Sequence, residues 1–415
     1  MPLKKVIKKK QGLQKKEPLR KKAAPVKKVS AKKNIVRKKS PTRAERSKNL
    51  LRIIRRAKPI VVEKRLRQLE RHENNPIIEP REGNYWEMKA TFNPGAIYAD
   101  HRVHLLYRAI GGNDVSVLGY ASSSDGVSFD ERSAAPAYVP MTTKTTVPKE
   151  DQKPAEPAYF SGGGWNGGCE DPRLTLIDDR VYLTYTAFDG WGSIRIALSS
   201  IALEDFLNKK WKWEKPAMIS PAGEIHKNWM LFPEKINGKY AILHSITPRI
   251  MIEYFDSLQS LEKEEDVIRG SMRKMEVRDP GRWEHLVRGA GPPPLKTKDG
   301  WLVLYHGDDR NDPGKYKLGA MLLDLNDPTK VLYRSRTPIL EPDLAYENNG
   351  FKPGIVYSCG AVINEGELYV YYGGSDTVTC VAMANLEKFL EELKLYGTPK
   401  LMPEQKPNTR KNGGR

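Results

Sequence analysis

Five times along the chain a Pro- or Gly-led apolar run passes through a charged turn into an aromatic-rich strand, and this recurrence limits the available folds more than any other feature of the sequence. The instances are PGAIYADHRVHLLYRA from Pro94, DPRLTLIDDRVYLTYTAF from Asp171, FPEKINGKYAILHS from Phe232, GPPPLKTKDGWLVLYHG from Gly291 and CGAVINEGELYVYYGG from Cys359. Taking Pro94, Pro172, Pro233, Pro292 and Gly360 as equivalent, the steps are 78, 61, 59 and 68 residues. Short β-rich runs bounded by Gly, Asn and Asp turns fill each step, and long helical patterns are few. Five such units predict an all-β fold, a five-bladed β-propeller in which each four-stranded blade packs on its neighbours around a channel. A β-sandwich would not repeat so long a unit.

The formal net charge of +19 suggests a nucleic-acid binder until it is divided along the chain. The first 60 residues hold 24 Lys and Arg against only Glu17 and Glu45, a balance of +22, which leaves −3 for the rest. The tail and the body are therefore separate objects. Residues 1–40 are lysine-rich and lack aromatics, so they cannot bury enough surface to offset the entropy of ordering, and a disordered tail is expected. Such a tail can hold nucleic acid or an anionic surface through salt-sensitive contacts, or serve only as a solubilising, weakly adhesive extension. Residues 41–74 read as an amphipathic helical linker. Thr42 and Glu45 form a capping box, Leu50, Leu51, Ile53, Ile54 and Ala57 share one face before Pro59, and Val62, Leu66 and Leu69 share the next. Residues 75–396 are the propeller, and 397–415 a flexible tail.

No run approaches the ~18 apolar residues of a spanning helix, and no apolar core of a signal peptide follows the basic start, so the expected compartment is the cytoplasm. Cys169, Cys359 and Cys380 are widely spaced without a CxxC or zinc pattern, which agrees with a reducing compartment and no expected metal or cofactor.

In a propeller the innermost strands line the channel, so polar residues bracketing them converge on one mouth. Those residues are Asn93, Arg108, Glu170, Asp171, Arg173, His244, Glu284, His306 and Asp376. GxSxG, HExxH, P-loop and Rossmann motifs are missing, which leaves carboxylates, guanidiniums and aromatics. That mixture suits carbohydrate, with Trp86, Trp165, Tyr185, Tyr305 and Tyr316 as candidate sugar platforms. Asp171, within Gly-Cys-Glu-Asp-Pro-Arg, is the sharpest candidate acid. Glu170 and Arg173 should pull its pKa in opposite directions while confinement raises it; the alternative is an ion pair closing a strand. Glu284 is either a base or a solvated loop carboxylate. His244 and His306 end aromatic strands and could bind an anion or a hydroxyl, or simply be hydrogen-bonded inner-strand residues.

The segments TFNPGAI (91–97), LLYRA (105–109), GCEDPRLT (168–175), LFPEKINGKYAILH (231–244), RGAGPPPLKTKDGWLVLYHG (288–307) and YYGGSDT (371–377) together resemble glycoside hydrolase family 130, from about Asn75 to about Tyr396. The resemblance implies a five-bladed propeller acting on β-mannosides, either as a phosphorylase or as a β-1,2-mannosidase, with inversion. It implies that Asp171 is the acid, delivering its proton through a hydroxyl of the bound mannose. Asn93, Arg108, Arg173 and Asp376 would grip that mannose, and His306 and Tyr316 would lie near phosphate or the neighbouring sugar.

Two positions depart from the phosphorylase pattern: Ser245 stands where LHRP has Arg, and Val287 where a Lys precedes the following glycines. Losing two cations weakens a phosphate cradle, although Lys227, Arg249 and Arg288 could compensate. The expectation is therefore a hydrolase of terminal β-mannosides, foremost β-1,2-linked ones, with Glu284 as base and Glu170 second. The alternatives are a phosphorylase releasing mannose 1-phosphate, a non-catalytic glycan-binding propeller, and a nucleic-acid-associated protein acting through its tail.

Overall fold

The computed structural model describes residues 69–140, 166–190, 193–262, 268 and 282–397. The basic stretch 1–40, the amphipathic stretch up to 68, Trp165 with most of the loop before it, and residues 398–415 lie outside the described residues.

The chain is mostly β-structure, as the turn-punctuated sequence predicts. After β1 (Glu70–Arg71), β2 (Ala90–Ala99), β3 (Arg102–Ile110), β4 (Ser116–Ser123) and β5 (Glu131–Arg132) form one antiparallel meander. A second meander runs through β6 (Gly168–Ile177), β7 (Arg180–Phe188), β8 (Ile194–Ala202) and β9 (Ala217–Met218). A single parallel bridge, Ser116 to Gly168, joins these two into one sheet. The third meander, a sheet of its own, has three strands, β10 (Met230–Leu231), β11 (Tyr240–Ser245) and β12 (Met251–Phe255). The fourth contains β13 (Glu284–Ala290), β14 (Leu295–Thr297), β15 (Gly300–Asp309), β16 (Asp312–Leu323) and β17 (Val331–Arg334). The last contains β18 (Val356–Asn364), β19 (Glu367–Gly374) and β20 (Val378–Asn385), with β1 on its outer edge.

That edge position corrects the helical reading of residues 69–74. Glu70 and Arg71 pair antiparallel with Met383 and Ala382. Leu69, placed on a helical stripe by the sequence, is instead buried among Leu302, Leu318, Val370 and Phe389. Arg71 makes a two-pronged ion pair with the fully buried Glu347 (2.7 and 2.9 Å), which also accepts from the Tyr372 hydroxyl at 2.8 Å. An open strand edge and a buried carboxylate outweigh a local helical preference. A helix of 11 residues, Leu386–Tyr396, follows β20; Phe389, Leu390 and Leu393 bury one face, and the Asn385 side chain caps its start.

Two meanders share a buried device that the inner-strand pattern does not reveal. In the first, the Trp86 ring lies near parallel to Tyr107, and Glu87 accepts from the Tyr107 hydroxyl (2.8 Å) and from Arg132 (2.6 Å). In the fourth, Trp283 lies near parallel to Tyr305, Arg334 donates to the Tyr305 hydroxyl (2.9 Å), and Arg334 forms a salt bridge with Glu284. Both tyrosine rings pass so close to the next strand that a Cβ at Gly119 or Gly319 would collide with them.

Candidate active site

Proline and bulge chemistry build the site. On β2 the pairing slips between Phe92 and Gly95, and on β6 between Glu170 and Arg173. Asn93-Pro94 and Asp171-Pro172 fall in these slips, where a residue without an N–H forfeits nothing. Asn93 and Asp171 take positive φ values of 48° and 53°, conformations that aim both side chains away from the pleat. The Asn93 amide then donates to Asp171 Oδ1 at 2.9 Å.

Arg108, on β3, spans the two acids: its guanidinium reaches Glu170 Oε1 at 2.9 Å and Asp171 Oδ1 at 3.3 Å, and its Nε donates to Ser116 Oγ at 2.9 Å. Lys227 donates to the other oxygen of Glu170 at 2.9 Å. A cavity of about 160 Å³ opens over this cluster, and Asn93, Arg108, Asp171, Lys227, His244, Tyr316 and Asp376 all line it. Ser245, Val287, Arg288, Lys352, Asn228 and Tyr357 line it too.

Several expected residues lie elsewhere. Arg173 sits behind the wall, donating to the carbonyls of Gly291 (2.8 Å) and Asp171 (2.9 Å) and to Asn228 Oδ1 (2.9 Å), so it holds the site rather than lining it. His306 is also behind the wall. Its ring stacks on Tyr357 at 3.9 Å, and its Nε2 accepts from the Ser358 N–H. Burial pushes its pKa down to about 3, and the Arg173 charge adds to that, so it is neutral. Glu170 lies beneath the cavity floor in its two ion pairs.

Glu284 is neither a base in the cavity nor a solvated loop carboxylate: it is 1% exposed and sealed against Arg334. Burial pushes its pKa up against the pull of Arg334. Of the aromatic platforms in described residues, Tyr316 alone lines the cavity; Trp86, Tyr185 and Tyr305 serve the sheets. Arg249 is exposed and outside the cavity, whereas Arg288 is in it, held by Asp308 at 2.7 Å and lying over the Tyr316 ring.

The two carboxyls that do line the cavity are pushed apart. Burial raises Asp171, but Arg108, Lys227, the Asn93 amide and Arg173 overcome it and hold the group at about 2. The expected upward shift is thus reversed, because confinement comes with three cations. Burial raises Asp376, whose φ is 52°, and Lys352 and Arg108 only partly oppose the rise.

Burial, with a contribution from His226, pushes His244 down to about 4. Its Nδ1 is buried without a hydrogen-bond partner among the described residues. Imidazole NMR should therefore show no titration of His244 between pH 5.5 and 8. Because this folded pKa lies below the unfolded value near 6.5, the unfolded chain takes up the proton first. Its contribution is complete above pH 6.5 and should be lost as pH falls toward 4, read as a declining melting temperature.

Missed by the sequence reading were Lys352, Asn228 and Tyr357. Asn228 has a φ of 66°, left-handed like that of Asn93, and stands two residues before β10.

An all-β scaffold that gathers carboxylates, guanidinium groups and ammonium groups around one cavity is chemically suited to a carbohydrate. The model of glycoside hydrolase family 130, described as β-1,4-mannooligosaccharide phosphorylase, matches residues 68–395, and the chain belongs to that family. A 1,2-β-oligomannan phosphorylase of Thermoanaerobacter sp. (strain X514) is 37% identical over 329 residues, covering 77% of this chain and 98% of that protein. A β-1,2-mannobiose phosphorylase from the same organism is 37% identical over 336 residues, with the same coverage of 77% and 98%. Among solved structures, a glycosyl hydrolase from Bacteroides ovatus superimposes with a TM-score of 0.61 at 27% identity, over 77% of this chain and 94% of that one.

Proposed function

We propose that this chain is a phosphorylase of β-mannosides, most closely suited to β-1,2-linked manno-oligosaccharides, which releases mannose 1-phosphate. The observation that carries this is the cavity's inventory: both carboxylates nominated to activate water, Glu284 and Glu170, are ion-paired outside it, while Lys227, Arg288 and Lys352 line it. Phosphate arrives already anionic and needs cations, whereas water needs a base. The expectation of hydrolysis rested on Ser245 and Val287. It gives way because three other cations line the same cavity, and because two relatives matched over 77% of this chain are named as phosphorylases.

In this reading the terminal mannosyl unit sits over Asp171, gripped by Asn93, Arg108 and Asp376. A phosphate oxygen attacks the anomeric carbon from the face opposite the leaving sugar. The bond to the leaving oxygen breaks, and that oxygen takes a proton relayed from Asp171 through a mannosyl hydroxyl. Inversion turns the β-linkage into α-mannose 1-phosphate plus a chain one unit shorter. Arg108 and Lys227 hold the Asp171 carboxyl ionised, whereas the acid role requires it protonated; a phosphate dianion beside these two cations offsets their charge and raises the proton affinity of the carboxyl. The reading further takes the five meanders as blades of a propeller, supported by the packing of β18 against both β2 and β6.

The test is incubation of the protein with β-1,2-mannobiose or -triose, with and without inorganic phosphate. Mannose 1-phosphate should accumulate only with phosphate. Free mannose formed at the same rate without phosphate would return the chain to the hydrolases.

A further inference from the structure

We infer that Lys352, in the segment leading into β18, contacts the phosphate in this cavity together with Lys227; the inference rests on the phosphorolytic reading above. Four cationic side chains line the cavity: Arg108, Lys227, Arg288 and Lys352. Three of them already have a carboxylate at hydrogen-bond distance, Arg108 and Lys227 on Glu170 at 2.9 Å each and Arg288 on Asp308 at 2.7 Å. Lys352 differs. Its nearest carboxylate, Asp376, is 3.9 Å away, beyond a hydrogen bond, although the ammonium has three protons to donate.

The side chain is only 27% exposed. Burial lowers its pKa, Asp376 opposes that, and Lys227 and Arg108 lower it further, which shows that like charges face it. A sugar hydroxyl would satisfy the ammonium's donors but leave this repulsion in place. A tetrahedral dianion bridging Lys352 and Lys227 removes both costs, and lysine is a compact point charge suited to phosphate.

The backbone fixes the geometry. Lys352 N–H donates to the Ser375 carbonyl (3.0 Å), and Phe351 N–H to Thr377 Oγ1 (3.1 Å). The turn that presents Asp376 to the sugar therefore also sets where Lys352 stands.

The test is calorimetric titration of the full chain with inorganic phosphate and, separately, with mannose, for wild type, Lys352→Met and Lys352→Arg. The Met variant should bind phosphate about tenfold or more weakly, with mannose affinity unchanged within about twofold, and the Arg variant should recover most of the loss. Equal phosphate affinity in the Met variant, a parallel loss of mannose binding, or a wild type that binds no phosphate would each overturn the inference. A wild type that binds phosphate through Lys352 yet cleaves only with water would retract phosphorolysis and leave the anion contact standing.

Discussion

Replacing Asp171 by Asn should lower turnover of a β-mannoside by about 10²- to 10⁴-fold, the contribution typical of a positioned proton donor, while the protein stays folded. Both hydrogen bonds to this side chain, from Asn93 and from Arg108, end on the same oxygen, Oδ1. An asparagine carbonyl can accept both. Arg108 keeps Glu170 as its counter-ion, so no buried charge is stranded. What disappears is the ability to gain and release a proton. The measurement pairs kcat on β-1,2-mannobiose with a thermal melt and a mannose titration. Turnover within about tenfold of wild type would remove Asp171 from the acid role. Lost turnover with an unchanged melt and intact mannose binding supports it.

The outline of this site was legible because backbone chemistry marked it. Asn-Pro and Asp-Pro at residues 93–94 and 171–172 are poor strand interiors, and such dipeptides in an inner strand signal a bulge that re-aims a side chain. The same bulge explains why Arg173 stands behind the cavity wall. In an unbroken strand, residues 171 and 173 share a face, so both point into the channel. With Asp171-Pro172 outside the register, that parity is lost, and Arg173 turns to the carbonyls of the neighbouring inner strands. His306 failed for reasons of reach. It follows Tyr305 as Arg108 follows Tyr107, but an imidazole cannot cross the distance a guanidinium spans, and Tyr357 captures it by stacking.

Lys352 carries no local signature at all. It enters the site only because the turn at Ser375–Thr377 fastens the preceding segment, a contact between distant residues that no periodicity announces. β1 is a similar case: the value of Leu69 and Arg71 lies in an open edge and a buried Glu347 nearly three hundred residues away.

Glu284→Gln is expected to destabilise the protein by about 3–5 kcal/mol, the cost of breaking one side of a buried ion pair, and to leave kcat per folded molecule unchanged within about twofold. Glutamine preserves the shape but removes the carboxylate charge that pairs with the Arg334 guanidinium, which is 1% exposed. A general base would behave in the opposite way, with kcat falling by about 10²-fold or more and the melting temperature holding. The melt and the steady-state rate, measured on the same preparation, separate the two. Glu87→Gln supplies the internal control. Glu87 pairs with Arg132 beside Trp86 and Tyr107 as Glu284 pairs with Arg334 beside Trp283 and Tyr305, and it accepts from the Tyr107 hydroxyl as well, yet it belongs to another meander. Equal loss of stability in the two variants, with neither losing rate, would identify the Trp-Glu doublet as a repeated internal strut. The doublet was visible in the sequence at 86–87 and 283–284, with a Tyr about twenty residues on and an Arg beyond. A carboxylate that recurs beside the same Trp in two meanders is placed by packing, whereas the chemistry falls where matching positions differ, as where Asp171 stands in β6 at the slip that Asn93 occupies in β2.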